Sequence, residues 1–281
     1  MQPEDAFPQS EPLYPIKSWD DVPTDITGAE IHGMAVRDFS PLRMLKKLRF
    51  LRAVCDTPGQ YEDVGSLTNL RWLALDHCGA TGLMRFGGLT QLQALKLFAF
   101  KAASLDGVAA LPALEYLQIE HAPKIASLDP LGGCGRLRWL WLSTPPGWDA
   151  SRKTIKVESL APLSQVATLE FLTLMGVEPS DASLQPLARL TRLKQLQFSH
   201  VFTVPIGEYA RLAAALPNTS GDCLRASHAL NVRMVCPRCK EADLVSLTAP
   251  RPRTKAHLCP RCDAPKLAAH EAAFNRLKET R

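Results

Sequence analysis

The stretch LTNLRWLAL, residues 67–75, sets leucines at positions 67, 70, 73 and 75. The same spacing returns in LTQLQALKL (89–97) and LPALEYLQI (111–119). It continues at Cys134/Leu137/Leu140/Leu142, Val166/Leu169/Leu172/Leu174 and Leu190/Leu193/Leu196/Phe198, and reaches back to Leu45/Leu48/Leu51/Ala53. An apolar pair stands six and three residues before each ladder, from Phe39/Leu42 and Tyr61/Val64 to Leu184/Leu187. From Leu48 to Leu193 the ladders step by 22, 22, 22, 23, 32 and 24 residues. So regular a recurrence describes one short unit built again and again.

A single such unit cannot bury its own leucines. Stacked on its neighbours it forms a continuous core, and the chain becomes a curved, quasi-one-dimensional solenoid. A 22-residue step leaves room for a short strand and an extended or 3₁₀ return, but not for a long helix. Over residues 26–203 the chain resembles the short bacterial leucine-rich repeat proteins. That resemblance implies an α/β repeat solenoid, a horseshoe of seven to eight repeats with a parallel concave sheet and a 3₁₀ or extended convex side. The chain departs from the family where an asparagine is usual, carrying Asp56, Cys78, Phe100, Ala122, Pro145, Val177 and Val201 instead. The backbone groups an asparagine ladder would satisfy must therefore find other partners. Ile26, Ala29, Ile31 and Met34 form a degenerate first repeat.

With 281 residues, 46% of them hydrophobic and 22% charged, the chain is long enough for a large core and a small extra module. Residues 1–25 are acidic and proline-rich and read as an N-terminal cap. They lack the basic and apolar regions of a signal peptide, and no stretch reaches membrane-spanning length. The expected location is cytoplasmic, where eight cysteines fit metal binding and packing better than disulfides. Residues 204–232 read as a cap helix, IGEYARLAAAL from Ile206 to Leu216, followed by a linker.

Residues 233–263 carry two identical knuckles, Cys236-Pro-Arg-Cys239 and Cys259-Pro-Arg-Cys262. Their spacing matches the two-pair zinc pattern, and four thiolates suit one tetrahedral, structural Zn²⁺ with no position open for water. The module resembles the zinc ribbons, with a hairpin from Asp243–Leu247 and Lys255–Leu258. A rubredoxin-like iron site is the first rival, but the segment between the knuckles has no aromatics. A thioredoxin-like dithiol is the second, and it would not need a duplicated motif. Residues 264–281 read as a terminal helix docked on the ribbon or the solenoid cap.

Between the ladder leucines, alternate side chains point to the concave face. These include Trp72, Phe98, Tyr116, Trp139, Trp141 and Phe171, which suit anchors for a protein or peptide partner. Stacking of the rings on one another is the alternative. The long step adds an insertion over 143–159, whose Trp148 is either part of a binding lip or incidental. Asp76-His77, Glu120-His121 and Ser199-His200 repeat in register but stand too far apart to share one ion. No catalytic constellation is found, and the expected protein is not an enzyme.

Charge supplies a second reading. Residues 225–281 balance at +7 and residues 1–224 at −2. Arg251, Arg253 and Lys255 at the ribbon tip are candidate nucleic-acid contacts, with the solenoid as adaptor. A carbohydrate or small-molecule sensor at Trp139/Trp141 is a third.

Overall fold

The computed structural model describes residues 12–32, 36–77, 83–144, 153–198, 204–230, 232–250 and 255–280. Each ladder folds as the repeat spacing predicts. The first two ladder residues close a tight turn, as in Leu70 N–H to Leu67 C=O at 2.9 Å, and the next five residues form a strand.

One parallel sheet of nine strands runs through the solenoid, in the spatial order β1-β2-β3-β4-β5-β6-β7-β9-β11. Its strands are β1 (Tyr14–Ile16), β2 (Gly28–Ile31), β3 (Phe50–Val54), β4 (Trp72–Asp76), β5 (Ala94–Phe98), β6 (Tyr116–Glu120), β7 (Trp139–Ser143), β9 (Phe171–Met175) and β11 (Gln195–Phe198). The register is that of the ladders: Leu73, Leu95, Leu117, Leu140, Leu172 and Leu196 stack strand on strand, all buried. β1 comes from the segment read as a cap, and it extends the sheet in parallel beside β2.

The convex returns are mostly 3₁₀ turns, at Ser40–Met44, Met84–Phe86, Val108–Ala110, Asp129–Gly133, Ala161–Gln165 and Gln185–Arg189. Four of them have proline as their second residue, followed by a buried leucine (Leu42, Leu131, Leu163, Leu187). The ring fixes φ and removes a donor that the first turn does not need, and the leucine then enters the core. One return is instead a short α-helix, α1 (Pro58–Gly65). Thr57 and Gln60 form a reciprocal capping box there, which stabilises a helical start.

The missing asparagine ladder has two substitutes. The residue just after the strand turns left-handed at His77, Ala99, His121 and Gly176, with φ between 51° and 67°. The Ala99 and His121 amides then donate to the next repeat, to Glu120 C=O at 2.9 Å and Ser143 C=O at 2.7 Å. Where no carbonyl serves, the buried Thr144 hydroxyl accepts from Ala122 N–H at 2.8 Å. The repeated histidines His77 and His121 are thus conformational. Histidine is among the residues that enter this region more readily than most. Thr144→Val should leave that amide orphaned and cost about 1–3 kcal/mol, measured as a shift in the urea midpoint at unchanged slope.

The 32-residue step is partly built into the solenoid. After residues 145–152, which lie outside the described chain with Trp148, β8 (Ile155–Val157) pairs in parallel with β10 (Val177–Pro179) of the following repeat. Ile155 and Val157 are buried.

At the far end, α2 (Ile206–Ala215) covers the last repeat. Its Glu208 is buried and accepts from Leu184 N–H at 2.8 Å, Ser183 Oγ at 3.1 Å, Gln185 Nε2 at 3.3 Å and the Arg211 guanidinium. Burial raises its pKa, but these donors outweigh burial and hold it below the usual glutamate range. A depressed carboxylate contributes stability above its unfolded pKa of about 4.3, and that contribution is lost as pH falls through the folded value. Glu208→Ala should accordingly lower thermal stability at pH 7 and flatten its loss between pH 5 and 3.

Beyond β11, Ser220 bonds it as a further strand would: Leu196 N–H donates to Ser220 C=O and Ser220 N–H to Lys194 C=O. A side chain at Gly221 would run into Leu196 O, so this close approach needs glycine. The buried Cys223 thiol, 3.7 Å from Leu196 O, completes the edge, and burial pushes its pKa up to about 12.

Candidate metal centre and concave face

The C-terminal module is a three-stranded antiparallel sheet of β12 (Ser227–Ala229), β13 (Val245–Leu247) and β14 (His257–Leu258), followed by α3 (Ala264–Glu279). The hairpin β13–β14 lies where the sequence places it. β12 falls in the segment read as a linker: three residues carry no periodicity to announce a strand. The helix packs on α2, and its Phe274 is buried in the solenoid's own core. Ser227 Oγ–Glu271 and His270–Ala226 O bonds tie it to β12.

Both knuckles make the same turn, with Lys240 N–H to Cys236 C=O and Asp263 N–H to Cys259 C=O, each 2.9 Å. The turns bring Cys236, Cys239, Cys259 and Cys262 together, all four sulfurs within 4.8 Å of one another. Across the knuckles, Cys236–Cys262 is 4.0 Å and Cys239–Cys259 is 3.7 Å. A tetrahedron with metal–sulfur bonds of about 2.3 Å has edges of ~3.8 Å, while a disulfide needs about 2.05 Å. The donor set fits one tetrahedral, thiophilic cation and not a pair of disulfides.

The thiols differ. The amide of Cys239, with that of Arg238, holds the Cys236 thiol down at about 6, whereas burial pushes Cys262 up to about 12. Closing the site around a cation displaces the protons its thiols still hold.

The two knuckle arginines form a reciprocal latch. Arg238 of the first pairs with Asp263 beside the second, and Arg261 of the second pairs with Glu241 beside the first. Arg238 holds the Asp263 carboxyl below the usual range, and Asp263 also accepts from Cys259 N–H at 3.2 Å. Arg233 pairs with Asp243 at 3.1 Å. Of the tip residues, Arg251 and Arg253 lie outside the described chain, and Lys255 is exposed.

On the concave face the alternate side chains form rows across the strands. One row is Phe50, Trp72, Ala94, Tyr116, Trp139, Phe171 and Gln195, set by strand register. Trp72, Phe98, Tyr116, Trp141 and Phe171 are half-buried. Trp139 is only 3% exposed, because Trp141 stacks on it with ring centroids 5.9 Å apart and planes 24° from parallel. The stacking reading holds for this pair, and the other rings are half-buried on the concave face. Lys194 lies over Phe171 at 5.9 Å.

The early repeats are different. Arg52 bridges Glu30 at 3.2 Å and Asp76 at 3.0 Å, and Lys96 meets Glu120 at 3.5 Å. That half of the face is internally neutralised, and the aromatic density lies from β6 to β9. Such a surface offers broad contact.

No protein-family model matches the chain, and no curated protein sequence matches it. Among solved structures it is similar to a leucine-rich repeat protein of Leptospira interrogans, at 18% identity over 74% of this chain and 52% of that one, with a TM-score of 0.58. Likenesses with lower TM-scores are to the internalin InlF (15% identity, 66% of this chain and 63% of that one, 0.41) and to the functional domain of InlJ (19%, 69% and 42%, 0.46), both of Listeria monocytogenes. The Leptospira likeness shows the fold alone, and this chain spans about half (52%) of that protein's length. No helix among the described residues is long and apolar enough to cross a membrane.

Proposed function

We propose that this leucine-rich repeat protein is a non-enzymatic scaffold whose concave face holds a protein or peptide, with one structural Zn²⁺ in a C-terminal ribbon. The aromatic row from Tyr116 to Phe171, with Trp141 above Trp139, is the observation that carries the reading. Half-buried Tyr, Trp and Phe on an open surface are typical interface anchors. Trp72 and Phe98 extend the contact surface, Trp139 supports Trp141 from below, and Trp148 belongs to the adjoining insertion.

The ribbon serves as a cap. Phe274 and α2 link it to the solenoid core, so metal binding stabilises the end of the repeat stack. The working location is the cytoplasm, where thiols stay reduced.

A nucleic-acid role for the ribbon has less support. Arg233, Arg238 and Arg261 are each committed to a carboxylate, which reduces the basic surface left for phosphate. The deciding experiment is affinity capture with wild type and with a Trp72→Ala/Trp141→Ala variant, followed by mass spectrometry and titration of the captured partner. A partner lost in the variant supports the reading. Partners unchanged in the variant but released by salt would move the function to the ribbon.

A further inference from the structure

Where the concave sheet ends, a cavity of about 530 Å³ lies between β9, β11, the turn before Cys223 and the start of β12. That volume is in the range of small-ligand sites. Its floor is apolar, with Met175, Phe198 and the Cys223 thiol, and its wall is polar, with Gln195, Asp222, Arg225 and His228.

Arg225 and Asp222 both line the cavity, and among the described residues neither side chain is in an ion pair. Elsewhere in the chain, basic side chains repeatedly find a carboxylate: Arg138 and Lys194 share Glu170, and both knuckle arginines are latched. The Gln195 side chain makes no hydrogen bond among the described residues, although its backbone is fully used in the sheet. Burial lowers the pKa of His228, against the opposing effect of Asp222. The cavity therefore presents one positive group, one negative group, a free amide and an apolar floor.

We infer that this cavity is a second ligand site, which takes a free α-amino acid with an apolar side chain. Its carboxylate meets Arg225, its ammonium meets Asp222, and its side chain lies on Met175 and Phe198. A lone anion would face Asp222 and a lone cation Arg225, so only a zwitterion satisfies both. The Arg225 guanidinium is suited to a planar carboxylate. The site adjoins the aromatic row at Gln195, which pairs in register with Phe171, but none of the row's rings lines it, and it does not depend on the partner reading.

Calorimetric titration of the full, metal-loaded chain with L-leucine and L-methionine tests it, alongside N-acetyl-leucine and leucinamide. Saturable binding of the free amino acids is expected, weakened about tenfold or more when either charge is blocked, the scale of one charge-assisted hydrogen bond. Arg225→Gln and Asp222→Asn should each weaken binding of the free amino acids by a similar factor. Both side chains are exposed, so these variants should keep the parent's metal content and thermal midpoint. No heat with any free amino acid, or equal binding of the blocked forms by wild type, overturns the assignment even if a variant fails to fold. Partner capture through Trp141 would be untouched by that result.

Discussion

Purified without chelator, the chain is expected to carry one zinc ion, and the Cys259→Ser variant none at comparable affinity. Structural zinc commonly contributes about 10–16 kcal/mol to small modules at neutral pH, more than the apolar contacts of three strands two or three residues long can supply. Removing the ion should release β12, β13 and β14. By hydrogen exchange, amides from 227 to 263 should lose protection while those of β3 to β9 keep theirs, because the leucines of those repeats pack on one another. The Glu241–Arg261 latch should not hold the module unaided, since an exposed ion pair is worth at most about 1 kcal/mol. Unchanged protection after chelation, or zinc-free protein with a native ribbon, would refute the metal assignment.

The second large effect is at Trp141. Truncation to alanine should weaken the captured partner by about 2 kcal/mol or more, roughly thirtyfold. Part of that loss passes through Trp139, whose ring would lose the cover that leaves it 3% exposed. Trp139 fluorescence should then shift to the red in the free protein, which a simple contact loss would not produce. If Trp141→Ala binds as wild type does, the rings only stack on each other, and the concave aromatic face is not the binding surface.

The ladder residues made the sheet legible, because Leu73, Leu95, Leu117 and Leu140 repeat a pattern that only one packing satisfies. The four thiols were legible for a similar reason, since two identical spacings reduce the ways they can meet. What escaped depends on contacts between distant residues. Trp139 sits at an outward position by alternation and is buried all the same, because its cover is Trp141, two residues along the same strand. Arg238 and Arg261 are part of the tail's +7 balance in the sequence, and only the pairing of the knuckles sets each beside the other's carboxylate. The helix at Pro58–Gly65 had a readable signal, the Thr57-Pro58-Gly59-Gln60 start, which the expectation of a 3₁₀ return passed over. His77 and His121 likewise follow their strands directly, at a turn that demands positive φ.

The β8–β10 pair has a consequence of its own. A solenoid with a constant step is close to a lattice: move one unit along and much the same surface reappears. An extended ligand on such a surface has several nearly equal placements, and its position is poorly determined. Between β7 and β9 this chain breaks that translational equivalence with a step about ten residues longer than the 22-residue repeat, marked by strands that no other described repeat carries. The break lies within the run of aromatics, beside Trp139, Trp141 and Phe171. For a ligand laid along the horseshoe it would be an origin from which positions are counted, so that one docking register would differ in kind from all the others.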